Sequence, residues 1–393
     1  MAIVKLAEVC EKIGSGATPR GGKEAYCDEG ISLVRSQNVL DFNFSKEGLA
    51  FINDEQAKKL SNVEVHSGDV LLNITGDSVA RACLMDDDYL PARVNQHVAI
   101  IRGNSHKIMN GYVLYYLQWR KEYLLQLASA GATRNALTKA MIEQLELDLP
   151  PLDSQQQIVA ILDSLQSKIQ LNQKTNDNLY EIVNAYYTSL FKDVECEMTT
   201  IGNYAERIYS GGTPTTSNAA YWDGTFGWFS SGETRNRFVI STEKSITQTG
   251  IDNSSTKLAS KHDIVMASAG QGFTRGQTSM LLIDTYVNQS VIVIHADRNI
   301  LPYLFWNLAN RYEELRAISD SSSIRGSLTT KMIAAFEIPC ANNDVIQTFS
   351  GFAWAVIPQI ENNLLENERL AALRDSLLPK LMTGEIDVST IQL

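Results

Sequence analysis

The sequence predicts an α+β protein in which two tandem mixed α/β domains are separated and followed by long helices that pair with each other. The chain has 393 residues, of which 44% are hydrophobic and 20% are charged, as in an ordinary globular protein of two or three domains. Its two halves repeat one another, and each half ends in a long heptad pattern. These two observations decide the fold class.

The repeat is visible in motifs that recur in the same order. LAEVCEKIGSGATP, at residues 6–19, lies over IGNYAERIYSGGTP, at residues 201–214. Val-Asn-Gln at residues 94–96 recurs at residues 287–289. Arg134 and Arg325 each precede a Leu-Thr pair and a Met-Ile pair at matching distances. Small loop deletions explain the slight drift in offset between the copies, so the chain holds two copies of one domain.

Each copy alternates short apolar runs with turns rich in Gly, Asn and Asp, which predicts strands. The runs are residues 31–34, 70–74 and 98–101 in the first copy and 228–229, 264–266 and 291–294 in the second. One helix is predicted next in each copy, at residues 111–127 and 301–316, and a polar loop then leads to a proline. The predicted domains are residues 1–151 and 195–340.

Beyond each proline, apolar positions recur in alternating steps of four and three, which is typical of a coiled-coil seam. The first seam covers residues 158–190, within a central long helix predicted at residues 152–194. The second covers residues 349–381, within a C-terminal long helix and tail predicted at residues 341–393. Arg374 is a misfit in the second seam, and Pro358 is expected to bend or interrupt its helix.

Two asparagines stand at the centre of each seam: Asn172 and Asn176 in the first, Asn363 and Asn367 in the second. Pairing the helices places amide against amide, and a buried amide favours the register in which it finds a partner. Parallel and antiparallel pairing would both satisfy this pattern. The asparagines therefore predict the register of the pair and leave its direction open.

Composition and motifs argue against several classes of protein. Five cysteines and five histidines are scattered, so no disulfide frame and no metal site are expected. The chain shows neither a signal peptide nor a membrane span, which predicts a cytoplasmic protein without a membrane partner. There is no methyltransferase motif, no glycine-rich cofactor loop and no nuclease-like carboxylate set, so we expect no catalytic residue and no cofactor in this chain. The net charge of −11 argues against a nucleic-acid binder taken alone.

Loops rich in hydrogen-bond donors nevertheless occur in both copies. Arg can grip guanine, Asn and Gln can grip adenine, and Ser and Thr can hold phosphates. In the first copy the candidates are Thr18, Arg20, Arg35, Gln37, Asn38, Thr75, Ser78, Arg81, Arg134 and Asn135. In the second copy they are Thr213, Thr215, Ser231, Arg235, Asn236, Arg237, Gln271, Thr274, Arg275 and Arg325. Arg134 aligns with Arg325, and Arg81 approximately with Arg275. A structural turn remains an equal interpretation for the SG-x-TP loops, and a structural role is favoured for the Asn-Gln pairs.

With these motifs the chain resembles the specificity subunit of type I restriction–modification enzymes. The resemblance rests on the SGATP and SGGTP openings, on VNQ, on TRNAL at residues 133–137, on LPPLDSQQQIVAILDSL at the first helix junction and on RDSLLPKLMTGEI near the C-terminus. The second copy departs from the pattern at its junction, where Cys340-Ala341-Asn342-Asn343 replaces the PPL-containing segment. Details are therefore not transferred to that junction.

The resemblance implies two target-recognition domains that each read one half of a bipartite site in double-stranded DNA. It implies an antiparallel helix pair that sets the spacer and docks two methyltransferase subunits, which carry S-adenosylmethionine, while motor and nuclease subunits add ATP- and Mg-dependent cleavage. Because the copies share a scaffold and differ in their loops, the target is expected to be asymmetric. The alternative is a coiled-coil scaffold whose duplicated domains bind protein.

Overall fold

A computed structural model of the chain describes residues 2–19, 21, 25–130, 135–191, 197–270, 273–321 and 326–388. The fold divides into two units. Unit 1 comprises residues 1–169 and 369–393, and unit 2 comprises residues 170–368. Each unit therefore holds one mixed α/β domain together with one segment of each long helix.

Unit 1 begins with the elements of the first copy. Its strands are β1 (Ala2–Lys5), β2 (Cys10–Ser15), β3 (Ile31–Val34), β4 (Ala50–Ile52), β5 (Glu64–Val65), β6 (Val70–Asn73), β7 (Ala82–Leu84), β8 (Ala92–Val94), β9 (Val98–Gly103) and β10 (Glu146–Leu149). Its helices are α1 (Leu6–Val9), α2 (Asp54–Lys59), α3 (Asn110–Trp119), α4 (Lys121–Ser129) and α5 (Lys139–Glu143). The long helix α6 (Leu152–Phe191) starts in this unit.

Unit 2 repeats the same order with one additional strand. Its strands are β11 (Met198–Thr200), β12 (Ala205–Ser210), β13 (Trp222–Phe229), β14 (Phe238–Val239), β15 (Lys244–Ile246), β16 (Lys257–Ala259), β17 (Ile264–Ala267), β18 (Thr278–Leu281), β19 (Thr285–Val287), β20 (Val291–Ala296) and β21 (Glu337–Pro339). Its helices are α7 (Ile201–Tyr204), α8 (Gln248–Asp252), α9 (Leu301–Asn310), α10 (Tyr312–Ser321) and α11 (Thr330–Ala334). The second long helix is α12 (Asn343–Met382).

Both domains share one sheet topology, except that unit 2 has an additional edge strand, β14, which pairs in parallel with β18. Unit 1 contains the sheets β2-β9-β6-β7 and β4-β3-β8-β5, and unit 2 contains β12-β20-β17-β18-β14 and β15-β13-β19-β16. A two-stranded sheet, β1-β10 or β11-β21, closes each domain next to its long helix. In unit 1, β3 pairs with β8 in parallel, and in unit 2 their counterparts β13 and β19 also pair in parallel. The structure thus confirms the predicted fold class and repeat.

The long helices complete the core of each unit. Ile158 and Leu162 of α6 and Leu381 of α12 belong to the main apolar cluster of unit 1. Tyr187 of α6 and Phe349 of α12 belong to that of unit 2. Each long helix therefore buries more of its surface than contact with the other helix alone would require, because it also packs against the domains.

Two predictions about helices are wrong. The helices expected at residues 111–127 and 301–316 are each broken in two, at Arg120 and at Arg311, whose backbones leave helical geometry. Each of these arginines stacks on aromatic side chains, Arg120 over Tyr123 at 4.4 Å and Arg311 over Phe336 at 4.0 Å. The second error is the expected interruption at Pro358, because α12 continues through that residue as one helix. Its one missing N–H does not outweigh the packing of the surrounding turns.

No helix among the described residues is long and apolar enough to span a lipid bilayer.

Candidate DNA interface

The SG-x-TP loops are tied to the Val-Asn-Gln segments in the same way in both units. In unit 1, Thr18 Oγ1 donates to Gln96 Oε1, and the Gly16 N–H donates to the Asn95 carbonyl at 3.1 Å. In unit 2, Thr213 Oγ1 donates to Gln289 Oε1, and the Gly211 N–H donates to the Asn288 carbonyl at 3.3 Å. This loop-to-strand clasp is structural, so the hydroxyls of Thr18 and Thr213 are already used inside each domain.

Glycine is required in this clasp because two backbones approach closely. A Cβ on Gly16 would lie 1.7 Å from the Val94 carbonyl oxygen, and one on Gly211 would lie 1.9 Å from that of Val287. The neighbouring asparagines cap the turn that follows. Asn95 Oδ1 accepts from the His97 N–H, and Asn288 Oδ1 accepts from the Ser290 N–H, both at 2.9 Å.

The side chains of the unit 1 candidates at residues 35–38 donate hydrogen bonds to the loop at residues 45–48. Arg35 and Gln37 both donate to the Gly48 carbonyl, at 2.5 and 3.1 Å. Asn38 is fully buried, and its amide donates to the carbonyls of Ser45 and Glu47. Asn38 is therefore not available to DNA, because a polar side chain in a core has to satisfy its own hydrogen bonds there.

Three further candidates of unit 1, Thr75, Ser78 and Arg81, meet with Gln37 at one cavity of about 410 Å³. It is lined by Ser36, Gln37, Thr75, Gly76, Asp77, Ser78, Arg81 and His97. Four of these residues were predicted as DNA contacts, whereas Asp77 and His97 were not. The guanidinium of Arg81 makes no hydrogen bond or ion pair with any residue that the structure describes. The cavity is thus lined by a positively charged guanidinium, in the loop between β6 and β7, that can bind a ligand.

The corresponding loop of unit 2 corrects the predicted alignment of Arg81 with Arg275. The Arg81 N–H donates to the Ser78 carbonyl in unit 1, and the Gln277 N–H donates to the Thr274 carbonyl in unit 2. Gln277 therefore takes the place of Arg81. The loop of unit 2 is two residues longer than that of unit 1, so Arg275 does not occupy the position that corresponds to Arg81.

Arg275 is not a free donor. It is 7% exposed, pairs with Asp320 and donates to the Gly326 carbonyl at 2.7 Å. This network fastens the loop to the C-terminal part of α10, so Arg275 is a structural residue and not a DNA contact. Thr274 remains partly exposed beside it.

The remaining candidates of unit 2 are surface residues. Thr215, Arg235, Asn236 and Arg237 are exposed, and Ser231 is partly exposed. Arg235 is paired with Glu243. Arg237 lies 3.6 Å from Asp177 and 4.3 Å above the ring of Tyr180, so it is engaged with α6.

Arg20, Arg134, Gln271 and Arg325 lie outside the described residues. Asn135 is exposed, and its carbonyl accepts from the Gly76 N–H at 3.2 Å. One residue that the sequence did not single out is Phe273, whose side chain is 86% exposed in the long loop of unit 2. Its carbonyl accepts from Tyr312 Oη at 2.6 Å, so the backbone that presents the ring is held in place.

A buried carboxylate supports the sheet below each candidate loop. Asp69 is 0% exposed and accepts two hydrogen bonds of 2.7 Å from Arg102, and this contact raises the pKa of the guanidinium. Asp263, its counterpart, is paired with His295 at 2.5 Å. These pairs are structural. Among the described residues, no group of histidine, cysteine and acidic side chains is arranged to hold a metal ion.

Comparison with known proteins places this architecture in a family. A sequence profile of the type I restriction modification DNA specificity domain matches residues 1–181 and 194–345. The chain belongs to this family.

The relatives in this family include proteins of similar length. The type I restriction enzyme HindI specificity subunit of Haemophilus influenzae is 20% identical over 439 aligned positions, which cover 91% of this chain and 94% of that protein. The EcoR124I/EcoR124II specificity subunit of Escherichia coli is 25% identical over 251 positions, 61% of each chain. The crystal structure of the S subunit from M. genitalium has the same fold, with a TM-score of 0.59 at 13% identity and with 97% and 96% of the two chains covered.

In this specificity-family member, the four central asparagines of the long helices meet within unit 2. Asn172 Nδ2 donates to Asn367 Oδ1 at 2.9 Å and to Glu366 Oε2 at 2.7 Å. Asn363 Nδ2 donates to Asn176 Oδ1 at 2.7 Å. Residue numbers rise along one helix while they fall along the other, so the helices are antiparallel here.

The seam misfit Arg374 also has a partner. In unit 1 it donates to Gln166 across the helix pair at 2.6 Å, and its guanidinium lies 4.1 Å above the ring of Phe42. The Phe42 N–H donates to the Ala82 carbonyl, next to Arg81. Arg374 therefore links α12 to the strand that follows the candidate loop.

Proposed function

We propose that this chain is the non-catalytic subunit that selects the DNA target of a type I restriction–modification complex. Each recognition domain reads one half of a bipartite, asymmetric site in double-stranded DNA. The observation that carries this proposal is the pairing of identical clasps with different loops. Arg81 lies at the unit 1 cavity without a partner among the described residues, whereas unit 2 has Gln277 at the same place and an exposed Phe273 nearby.

The chemistry of modification and cleavage then belongs to partners. Two methyltransferase subunits would carry S-adenosylmethionine and methylate adenine, and motor and nuclease subunits would use ATP and Mg. The site of action would be the cytoplasm. The long helices offer surfaces for such partners, because Leu171 and Ile182 of α6 are 58% and 54% exposed and lie 11 residues, or about three helical turns, apart.

The net charge of −11 is compatible with this role if the acidic residues lie away from the DNA-reading loops, or if partner subunits supply positive charge. The rival function, a scaffold that binds protein through its duplicated domains, would need no such arrangement. An uncommitted arginine beside donor side chains favours DNA, because phosphates and guanine are both ligands that arginine prefers.

An electrophoretic shift assay tests the proposal. The full chain with two methyltransferase subunits should bind duplexes carrying its target tightly, and the affinity should fall steeply as salt is raised. Arg81→Gln should weaken binding. Lys59→Gln, which removes the same charge from an exposed residue of α2 outside the cavity, should not. Binding that is indifferent to salt and to DNA sequence would refute DNA selection and favour the scaffold.

A further inference from the structure

A chain of hydrogen bonds runs from the clasp of unit 1 to its cavity. Thr18 Oγ1 contacts Gln96 Oε1, Gln96 Nε2 lies 2.8 Å from His97 Nε2, and His97 Nδ1 lies 2.6 Å from Thr75 Oγ1. The last two residues, His97 and Thr75, line the cavity. The four side chains connect the scaffold of the domain to the surface that a ligand would meet.

The direction of each hydrogen bond in this chain follows from the groups involved. A carbonyl oxygen only accepts, so the Thr18 hydroxyl donates to Gln96. The amide nitrogen of Gln96 only donates, so His97 Nε2 accepts and its proton resides on Nδ1. Nδ1 then donates to Thr75 Oγ1. The hydroxyl proton of Thr75 is left over, and it is available to a ligand in the cavity.

The lining of the cavity includes two donors and one acceptor, beside the hydroxyls of Ser36 and Ser78 and the amide of Gln37. The donors are the Thr75 hydroxyl and the guanidinium of Arg81, and the acceptor is the exposed carboxylate of Asp77. In the major groove, guanine offers two acceptors, N7 and O6, and its partner cytosine offers one donor, N4–H. A backbone phosphate offers acceptors only, and Asp77 would repel it.

Resting on the proposed function, we propose that the unit 1 cavity recognises a G·C base pair by its major-groove edge. Arg81 and Thr75 bind the guanine and Asp77 accepts from the cytosine, while His97 is a positioning residue that orients the Thr75 hydroxyl as a donor. Unit 2 differs at both positions, because Ser290 stands in place of His97 and Gln277 in place of Arg81. The preference is therefore a property of one half-site.

The test is modification by the intact complex of duplexes that differ at single base pairs, after the modified motif has been mapped. The motif should contain a G·C pair in one half, and replacing it should slow the wild type by about 5- to 150-fold. Arg81→Gln and Thr75→Val should each lose much of that discrimination, and Thr75→Ser should retain it. Replacing the guanine by 7-deazaguanine should slow the wild type but not Arg81→Gln.

Ser290→Ala, at the unit 2 counterpart of His97, is the matched control and should leave that position unchanged. His97→Phe should relax discrimination as Thr75→Val does, without a uniform loss on all duplexes. Three results would overturn the proposal: an A·T pair at the position that responds to Thr75, an equal loss on every sequence, which marks a phosphate contact, or no response to either variant. If the wild type modifies no defined motif at all, the proposed function itself has failed.

Discussion

The antiparallel seam predicts a measurable coupling between Asn176 and Asn363. Asn363 is 6% exposed, and its amide nitrogen donates to Asn176 Oδ1 at 2.7 Å. Asn176→Ala leaves the buried amide nitrogen of Asn363 without its acceptor, which costs about 1–3 kcal/mol. Asn363→Ala costs less, because Asn176 is only half-buried and still donates to the Ile360 carbonyl. Replacing both removes donor and acceptor together. The double variant should therefore be more stable than the sum of the single losses predicts, by about 1 kcal/mol.

Urea unfolding followed by tryptophan fluorescence measures this coupling. Four of the five tryptophans lie in unit 2, at Trp222, Trp228, Trp306 and Trp354. The fifth, Trp119, lies in unit 1, and a Trp119→Phe background makes the signal report unit 2 alone.

Asn178 and Asn362 provide the matched controls, because they are exposed asparagines on the same two helices. Their alanine variants should each change the free energy of unfolding by no more than about 0.5 kcal/mol and should be additive. These control variants also measure the small gain in helix propensity that any Asn→Ala change in a helix brings. If the Asn176 and Asn363 variants were equally additive, the two amides would not meet and the helices would pair in a different register.

Three further predictions concern the frame that holds the recognition loops. Arg102→Met should destabilise unit 1 by about 3–5 kcal/mol in urea unfolding, because Asp69 would stay buried without its cation; an unchanged midpoint would contradict this. Burial and nearby cations lower the pKa of His262, so the unfolded chain binds the proton first and unit 2 should lose stability as the pH falls below 6.5. His262→Asn, which tolerates the positive φ of 78°, should flatten that dependence, and an unaltered pH profile would refute it. Arg374→Met should cost about 1–3 kcal/mol and speed amide exchange around Phe42, because its hydrogen bond and ring contact are lost; unchanged exchange would mean that Arg374 does not brace that loop.

Much of the frame could be predicted because it depends on periodicity and repetition. The apolar run at residues 31–34 is β3, residue for residue. The heptad steps located the amide contacts of Asn172 and Asn176, because a seam position has one facing partner helix. Apolar spacing does not show where a helix breaks, so the interruptions at Arg120 and Arg311 were missed.

The candidate site was predicted less well, because loop residues act through contacts that a sequence does not display. Arg81 and Arg275 look alike in the sequence, yet Arg275 is buried against Asp320 while Arg81 lines a cavity and has no partner among the described residues. Two extra residues in the second loop were enough to shift the alignment. Asn38 looked like a donor for adenine, but the fold uses its amide to hold a loop. His97 was missed because only the fold brings it to the cavity. Asp77 was missed because the candidates were chosen as hydrogen-bond donors, and a carboxylate accepts.

The central claim is that two like domains with unlike loops read two different half-sites. Mapping modified adenines across the genome of a host that carries the intact system tests it most directly. We expect a bipartite motif with two different halves separated by an unspecified spacer. A continuous motif or a perfectly palindromic one would contradict the account.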